Sequence, residues 1–511
     1  MSKRKVWMVV WDINAEKGGI NSVMYRRTKL FNNEHYASDL LTLDDKRFGY
    51  AEIEKTLHED GRLHPDARII NVYDYYREKM TVHAQISEEN RAHYERLNEL
   101  EEDGFMMIQK DDQTLYFQHG RLQKEKFWDA NGHLEHISYY SATRVISSTE
   151  YFHPDGYLMC KHTFHPATGN VSQIFHYTRE GHCYLVRWFE PETGRQLHVV
   201  LFEPTNKKAI PFRNNNGFHT YFLEELARQE TERPFLICDG PSSNFKVQQM
   251  EAGLAHRIYP VHTTTYEEPY TRGSEMKKNH QQIFDNPDDQ APIVLLTERQ
   301  REDLRIDYPT KRYEVISNAV EIPQQIGKKK PFVASIVSRL DDLKRIELAI
   351  EAFKFVVRDE PEATLYIYGS GDAEAALKKR VKRLKLTQHI FFKGYTTEAD
   401  RVFAESQFTL ITSLFEGQSL VALEAFANKT TVISFDIDYL VEEMYEDETL
   451  CTLVPNGDVE ALSDAMLDLF KHPEKAAAMG EVGYNLIREK YTFQRQYEKW
   501  QALFDQLDAE V

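Results

Sequence analysis

Short apolar runs, each followed by a polar loop and then by a helical pattern, recur in both halves of the chain. Residues 6–11 form such a run, and a helical pattern follows it to about residue 31. The same order returns at residues 332–337, before the helical pattern of residues 346–357, and again at residues 365–368. Strands that alternate with helices are typical of parallel sheets covered by helices. The pattern therefore predicts α/β domains in both halves.

Residues 114–201 follow another pattern, in which β-branched and aromatic residues alternate with polar ones. Four of the predicted turns, which end at Gly132, Gly156, Gly169 and Gly194, use Pro, Asp or Asn before the glycine. Glycines recur in this region in steps of twelve or thirteen residues, or twice that. These glycines are Gly120, Gly132, Gly156, Gly169, Gly181 and Gly194. Evenly spaced turn signals between alternating segments indicate hairpins. We predict an antiparallel meander inserted into the amino-terminal α/β domain.

Composition narrows the class of protein. A chain of 511 residues is too long for one core and predicts two or three domains. The net charge of −18 disfavours a general nucleic-acid binder, so a polyanionic acceptor would need a local basic surface. Four cysteines are scattered without metal-ligand spacing, and neither a signal peptide nor a long apolar run is seen. We expect a cytoplasmic enzyme, at most peripheral to the inner face of the plasma membrane.

Two cations and two carboxylates carry the candidate chemistry. Arg339 and Lys344 follow the apolar run of residues 332–337, at a strand's carboxyl end, where ligands of open α/β sheets bind. Glu416 and Glu424 come some seventy residues later, on either side of a helix start. Alone, such charges are usually solvated surface groups. Together they suit a nucleotide diphosphate with a sugar attached.

The combination Arg339-x4-Lys344 with Glu416-x7-Glu424 resembles the donor site of retaining family 4 glycosyltransferases of the GT-B fold. The resemblance implies two Rossmann-like domains that face a cleft. It also implies that Arg339 and Lys344 neutralise the leaving diphosphate, that Glu416 lies against the sugar ring, and that Glu424 holds the ribose. Transfer builds negative charge on the leaving phosphate, which two fixed cations stabilise.

The resemblance extends to loops at other strand ends. Gly18 and Gly19 precede a helix and are expected to approach the donor diphosphate, because glycines let backbone amides come close to a phosphate. Gly394 and Tyr395 stand where the family places groups around the base.

A histidine and several neighbours complete the predicted site. The resemblance implies a histidine at the end of a strand that hydrogen-bonds the donor sugar, and His262 fits this role better than His256 because it follows the apolar run. Asn318 is expected to border the cleft. The other donor-binding candidates flank the charged residues and the helix start, where Ser419 suits an N-cap. They are Ser338, Phe415, Gly417, Gln418, Ser419 and Leu420.

A metal site is the alternative that the sequence offers. Asp436 and Asp438 form an Asp-x-Asp pair of the kind that holds Mn²⁺ or Mg²⁺ in other glycosyltransferases. Because Arg339 and Lys344 already supply cations, we expect metal-independent transfer without a cofactor. No residue is placed as a covalent nucleophile, so the leaving phosphate oxygen is expected to take the acceptor proton on the same face of the sugar.

Five segments are predicted. They are residues 1–76, the first part of the amino-terminal Rossmann-like domain; 77–214, the β-sheet insert; 215–312, the second part of that domain; 313–490, the carboxyl-terminal Rossmann-like domain; and 491–511, a helix packing back on the first domain.

The insert after residues 71–76 narrows the resemblance to bacterial wall teichoic acid α-glycosyltransferases. This implies transfer of N-acetylglucosamine or glucose from a UDP-sugar to a polyol-phosphate polymer, ribitol- or glycerol-based. One alternative is O-glycosylation of Ser-rich or Ser-Asp repeat adhesins; a non-catalytic partner is disfavoured because the charged residues are present. The insert is expected to serve the acceptor or a homo-oligomer, with a trimer as one form. Donor sugar and acceptor stay open.

Overall fold

The computed structural model describes residues 3–15, 19–47, 49–82, 86–203 and 205–510. The chain divides into two compact units. The first unit comprises Met1–Lys17, Phe31–Pro234 and Phe245–Ala255, and the second comprises Gly18–Leu30, Phe235–Asn244 and His256–Val511.

The strands, in chain order, are β1 (Arg4–Val10), β2 (Tyr36–Thr42), β3 (Ile69–Asn71), β4 (Met106–Gln109), β5 (Gln113–Gln118), β6 (Arg121–Trp128), β7 (Leu134–Tyr140), β8 (Ile146–His153), β9 (Tyr157–Phe164), β10 (Val171–Tyr177), β11 (Cys183–Phe189), β12 (Gln196–Glu203), β13 (Lys208–Phe212), β14 (Phe235–Cys238), β15 (His256–Pro260), β16 (Ile293–Leu295), β17 (Tyr313–Val315), β18 (Val333–Val337), β19 (Thr364–Tyr368), β20 (Ile390–Gly394), β21 (Phe408–Ile411), β22 (Thr431–Phe435) and β23 (Thr452–Val454).

The α-helices are α1 (Ile20–Phe31), α2 (Gly49–Glu59), α3 (Val72–Met80), α4 (Glu88–Asn98), α5 (Asn215–Gln229), α6 (Asn244–Gln248), α7 (Lys278–Asp285), α8 (Glu298–Asp307), α9 (Ile346–Asp359), α10 (Glu374–Arg383), α11 (Ala399–Glu405), α12 (Leu420–Ala427), α13 (Val459–Lys471), α14 (Pro473–Lys490) and α15 (Phe493–Ala509). Short 3₁₀ turns span Pro241–Ser243, Asp342–Lys344 and Glu442–Met444.

In the first unit, β1, β2 and β3 pair in parallel, with Met8 beside Leu40 and Leu41 beside Ile70. The middle of β1 is fully buried, as its unbroken apolar run requires of a strand covered on both faces. Asn71 ends β3 and caps α3, because its side chain accepts a hydrogen bond from the Tyr73 amide at 2.9 Å.

The rest of the first unit is dominated by one antiparallel sheet, in which β4 to β13 pair in chain order. Gly132 and Gly181 lie in its turns with φ of +80° and +87°, a conformation that glycine adopts without steric cost. Helix α4 covers one face, where Tyr94 packs in a buried cluster with Ile137 and Phe152. The predicted meander of hairpins is confirmed.

In the second unit, β14 to β17 form a run of parallel pairs. Helix α15 packs on this run, since the Phe504 ring stacks on Phe235 of β14 with centroids 4.0 Å apart. Trp500 of the same helix is fully buried.

A six-stranded parallel sheet completes the second unit, in the order β20-β19-β18-β21-β22-β23. The chain builds outward from β18 in both directions, so the loops after β18 and β21 leave neighbouring strands at the same edge. Ligands of open α/β sheets bind at such a point, where the strand order reverses. The predicted fold class, two parallel α/β sheets with an antiparallel insert, is confirmed, while the domain boundaries stay predictions.

Candidate active site

Two loops meet where the strand order of the six-stranded sheet reverses. The loop after β18 runs to the 3₁₀ turn Asp342–Lys344, and the loop after β21 leads to α12. The Leu414 amide donates to the Leu343 carbonyl at 2.8 Å, and the Thr412 hydroxyl donates to the Lys344 carbonyl at 2.7 Å. These bonds fix the predicted cation loop against the predicted carboxylate loop.

Lys344 and Glu416 form an ion pair in which Nζ lies 2.6 Å from Oε1. The Ser413 hydroxyl donates to the same carboxylate oxygen at 2.6 Å. Both charged side chains are about one-fifth exposed, at 19% and 18%. They line a small cavity together with Ser338 and Ser419. Residues predicted from widely separated motifs therefore share one solvent-accessible site.

Arg345 anchors this site and was not predicted. Its backbone is left-handed, with φ of +45°, and its guanidinium donates to the carbonyls of Thr412 and Ser413 at 2.9 and 2.7 Å. It also donates to the Asn456 side chain at 2.6 Å and lies over the Phe435 ring. In the sequence, Arg345 is one more cation beside Lys344, and no local sequence pattern predicts its left-handed backbone.

Arg339, the other predicted cation, lies at the surface. Its side chain is 71% exposed and pairs with Asp341 at 2.9 Å, between Nη1 and Oδ2. The backbone near it is closely packed, because a Cβ on Gly369 would lie 1.8 Å from the Ser338 carbonyl oxygen. The structure therefore brings Lys344, not Arg339, onto Glu416 and leaves the Arg339 guanidinium open to solvent.

The start of α12 carries the next group of predicted residues. Ser419 caps the helix by accepting a hydrogen bond from the Ala422 amide at 3.3 Å, directly before Leu420. One turn on, Glu424 pairs with Arg26 of α1 at 2.6 Å. Arg26 was missed, since nearly four hundred residues separate it from Glu424.

Gly19 precedes α1, the helix that carries Arg26, with φ of +64°. A Cβ built on Gly19 would meet no atom within 4 Å, so its left-handed backbone, and not crowding, is what favours glycine there. Gly18 lies outside the described residues.

His262 follows β15 and lies against the Glu416 loop. A Cβ on Gly417 would be 2.1 Å from the His262 carbonyl oxygen, so only glycine fits at that position. The His262 ring contacts Asp239 through Nε2 at 2.7 Å, and Arg27 reaches the same carboxylate oxygen at 2.6 Å. Burial alone would raise the pKa of Asp239, but Arg27 and His262 outweigh it and lower that pKa. Asp239 is thus a buried carboxylate anion that orients His262, and sequence reasoning missed both it and Arg27.

Comparison with known proteins places these loops in a family. Residues 319–486, which include Lys344, Glu416 and Glu424, match the model of the glycosyl transferases group 1 family. Residues 319–486 form a group 1 glycosyltransferase domain. The family predicted from the charged residues is confirmed, as is the prediction of an enzyme.

Two relatives and a solved structure span nearly the whole glycosyltransferase chain. The poly(ribitol-phosphate) alpha-N-acetylglucosaminyltransferase of Staphylococcus aureus (strain COL) is 27% identical over 98% of this chain and 100% of its own. The poly(glycerol-phosphate) alpha-glucosyltransferase of Bacillus subtilis (strain 168) is 23% identical over 96% of this chain and 73% of its own. A crystal structure of a variant of S. aureus TarM with fondaparinux, alpha-GlcNAc-glycerol and UDP matches with a TM-score of 0.87 and 26% identity, over 98% of this chain and 99% of that chain.

Further predicted residues of the glycosyltransferase line the same loops. The Gln418 side-chain oxygen accepts a hydrogen bond from the Asn318 amide at 2.8 Å, and both side chains are buried. Within the described parts of the chain, Gln418 Nε2 and Asn318 Oδ1 have no partner. Phe415 packs on Tyr270 with centroids 4.4 Å apart, and the Lys277 ammonium lies 4.5 Å from the Phe415 ring centroid.

The predicted base-contacting residues lie at the end of β20 in the glycosyltransferase. Gly394 has φ of +75°, and its carbonyl accepts from the Gly369 amide at 2.8 Å. Tyr395 follows as an exposed aromatic side chain. Both therefore leave the sheet at the edge that also bears Ser338 and Lys344.

The Asp-x-Asp pair of the glycosyltransferase is engaged by a cation. Asp438 contacts Arg299 at 3.2 Å, while burial raises the Asp438 pKa against the opposing effect of Arg299. The Glu416 amide donates to the Asp438 carbonyl at 2.9 Å. Metal-independent transfer stays a prediction.

Membrane-spanning helices were a further point to check. Among the helices of the described segments, none has the length and apolar composition needed to cross a membrane.

Proposed function

We propose that this enzyme transfers N-acetylglucosamine or glucose, with retention, from a UDP-sugar onto polyol-phosphate repeats of wall teichoic acid. The observation that carries the proposal is the joint placement of Lys344, Ser413 and Glu416 at the start of α12. Similarity over nearly the full length to transferases named for poly(ribitol-phosphate) and poly(glycerol-phosphate) supports the acceptor class.

The charges suit the bond that breaks. When the sugar leaves, negative charge develops on the diphosphate, where Lys344 supplies a fixed cation and the solvent-open Arg339 a second one. The sugar becomes cation-like at the same moment, and the Glu416 carboxylate offers it a negative partner. The leaving phosphate oxygen takes the proton of the acceptor hydroxyl, so no step needs a protein nucleophile.

Other residues hold the remaining parts of the donor. Glu424 takes the ribose hydroxyls in exchange for its pair with Arg26, and Gly394 and Tyr395 border the base. The His262 ring uses Nε2 on Asp239, which leaves Nδ1 for a sugar hydroxyl.

We further propose that the insert joins copies of this chain in a homo-oligomer. Strand β4 lies at one edge of the ten-stranded sheet, and all four of its residues are exposed. Met106 and Ile108 expose 70% and 52% of their surface. An exposed apolar edge strand pairs readily with another chain.

The test is UDP release by the purified protein. UDP-N-acetylglucosamine and UDP-glucose are each offered with poly(ribitol-phosphate), poly(glycerol-phosphate) or a Ser-Asp repeat peptide, with Lys344→Ala as the inactive control. Release stimulated by a polyol-phosphate polymer is the expected result and names the donor. Stimulation by the peptide alone would move the enzyme to adhesin glycosylation, and no stimulation by any acceptor would contradict the proposal.

A further inference from the structure

Four aromatic or imidazole rings form a continuous row across strands β6 to β9 of the insert. Phe127 pairs with His136, and His136 with Tyr151, as direct cross-strand neighbours. Their ring centroids lie 4.1 and 5.3 Å apart, and Tyr151 lies 5.0 Å from His162. We call these four residues the ring row.

The ring row lies on the face of the sheet away from α4. Along their strands, His136 and Tyr151 alternate with Ile137 and Phe152, which pack against Tyr94 of α4. The four residues are half-buried, and because the Phe127 and His136 rings stack on each other with planes 11° apart, their accessible parts are ring edges. This surface carries both aromatic rings and polar imidazole atoms.

Arg47, in the loop after β2, is the cation that faces the ring row. Its guanidinium carbon lies 4.0 Å from the Tyr151 ring centroid, and its backbone is left-handed, with φ of +57°. Among the residues that the structure describes, the half-buried Arg47 guanidinium has neither a hydrogen-bond nor an ion-pair partner. A partly desolvated guanidinium with five open donors favours an anionic partner.

Neighbouring charged groups already have hydrogen-bond or ion-pair partners. Asp45, two residues before Arg47, contacts Arg187 of β11 at 2.8 Å, and Arg187 also donates to the Tyr73 hydroxyl at 2.8 Å. The carboxylate of Glu125 accepts from the Tyr140 hydroxyl at 2.8 Å. The open positive charge on this face is therefore that of Arg47.

The imidazoles of the ring row are neutral at neutral pH. Burial, reinforced by Arg47, lowers the pKa of His162 to about 4. Burial also lowers the pKa of His136, although Glu135, whose carboxylate is 3.5 Å from the ring, opposes the shift. The row thus offers uncharged ring edges, apolar on Phe127 and hydrogen-bonding on the imidazoles, beside one cation.

We infer that the ring row and Arg47 form a binding site for the phosphodiester-linked polyol chain of the acceptor. The inference rests on the proposed function and deepens it by assigning an acceptor site to the insert. Apolar ring surface packs against the C–H groups of a polyol, imidazole edges bind its hydroxyls, and a guanidinium binds phosphate through paired N–H groups. Arg47 holds a phosphate while the polyol lies along the rings.

The experiment compares Arg47→Gln with Arg144→Gln in the full chain. Arg144, in the turn between β7 and β8, is exposed, and its backbone is also left-handed, with φ of +63°. Both variants therefore remove one positive charge at a residue with a left-handed backbone. Calorimetry with poly(ribitol-phosphate) or poly(glycerol-phosphate), without donor, measures the dissociation constant. We expect Arg47→Gln to weaken binding about tenfold or more, the scale of a charged hydrogen bond, and Arg144→Gln less than about twofold.

A second pair of variants tests the rings. Tyr151→Leu removes a ring face but keeps apolar bulk, and is expected to raise KM for the polymer with kcat and the KM for the UDP-sugar unchanged. Tyr151→Phe keeps the ring and is expected to bind as the wild type does. Thermal unfolding of both checks that the sheet is intact.

The outcomes separate the site from the function. If the wild type binds a polyol-phosphate polymer and Arg47→Gln binds it as tightly as Arg144→Gln, the site is overturned and the proposed function stands. If the wild type binds neither polymer, or binds only the Ser-Asp peptide, both fall. UDP release to water, without acceptor, reports on the donor site alone and is expected to be equal in all five proteins.

Discussion

Lys344 and Glu416 neutralise each other in the structure, so each must change partner when a sugar nucleotide enters. Their contact of 2.6 Å, shared with Ser413, keeps both side chains in place beforehand. Preorganised charges need no reorganisation as the reaction proceeds, whereas water molecules would have to reorient around the developing charge. This difference is their catalytic advantage. On the proposed function, the pair holds the positions that the donor's diphosphate and sugar take when they bind.

Removing the Lys344 ammonium tests this placement. We expect Lys344→Ala to lower kcat several hundredfold, because one lost charge contact to the leaving phosphate costs about 3 to 4 kcal/mol of transition-state stabilisation. Steady-state UDP release measures the effect. Lys354→Ala, an exposed lysine of α9, is the matched control and should be unaffected. Turnover of Lys344→Ala within about threefold of the wild type would remove Lys344 from the mechanism.

The ionised Asp239 side chain should affect the free energy of unfolding and its dependence on pH. Its pKa is lowered in the folded state, so its ionised form stabilises the fold above the ordinary pKa near 3.8, and this contribution is lost as the pH falls through the lower, folded value. We expect Asp239→Asn to lose about 3 to 5 kcal/mol at pH 7, because Arg27 is left buried without its anion. The deficit should narrow as the pH falls below about 4.

Urea unfolding at several pH values measures the Asp239 effect. Asp464→Asn, an exposed aspartate of α13, is the matched control and should cost little at any pH. A deficit for Asp239→Asn that widened on acidification would show that Asp239 is not folded as an anion.

At the scale of elements, the loops that end β18 and β21 form the site because their strands are neighbours. The sequence predicted both strands and the helix after each, since apolar runs and helical periodicity are local signals. Lys344 and Glu416 could therefore be placed at strand ends from the order of residues alone. Arg345 and Arg26 could not, because their partners lie far away in sequence and one of them depends on a left-handed turn.

The contact between Gly417 and the His262 backbone joins two of these elements. We expect Gly417→Ala to lower the melting temperature and to weaken UDP binding, since a Cβ 2.1 Å from a carbonyl oxygen must push the Glu416 loop away. Differential scanning calorimetry and UDP titration measure the two effects. Gly217→Ala in α5, where the nearest atoms are 3.8 Å away, is the control. Unchanged UDP binding in Gly417→Ala would separate this loop from the donor site.

At the scale of the molecule, the antiparallel sheet was predicted from alternation and turn spacing, but its exposed edge was not. Alternation shows which residues of a strand share a face, whereas edge position depends on which strands pair. Strand β4 pairs with β5 on one side and shows its apolar residues to solvent.

Ile108→Lys tests the role of this edge. We expect the substitution to reduce the molecular mass measured by light scattering, because a charge on an exposed strand opposes edge-to-edge pairing. Ile306→Lys is the matched control, since Ile306 is 60% exposed on α8, outside the sheet, and its variant should keep the wild-type mass. An unchanged mass for Ile108→Lys would place any oligomer contact elsewhere.

The make-up of the second unit limits how such enzymes can be recombined. Gly18–Leu30 and Phe235–Asn244 cluster with the carboxyl-terminal half, and they carry Arg26, Arg27 and Asp239. A chimera joined only at residue 313 would give Glu424 an α1 helix from the other parent, and would place the Gly417 loop against a His262 backbone from that parent as well. On the proposed function, we therefore expect exchange of donor specificity between homologues to require that all three segments come from one parent.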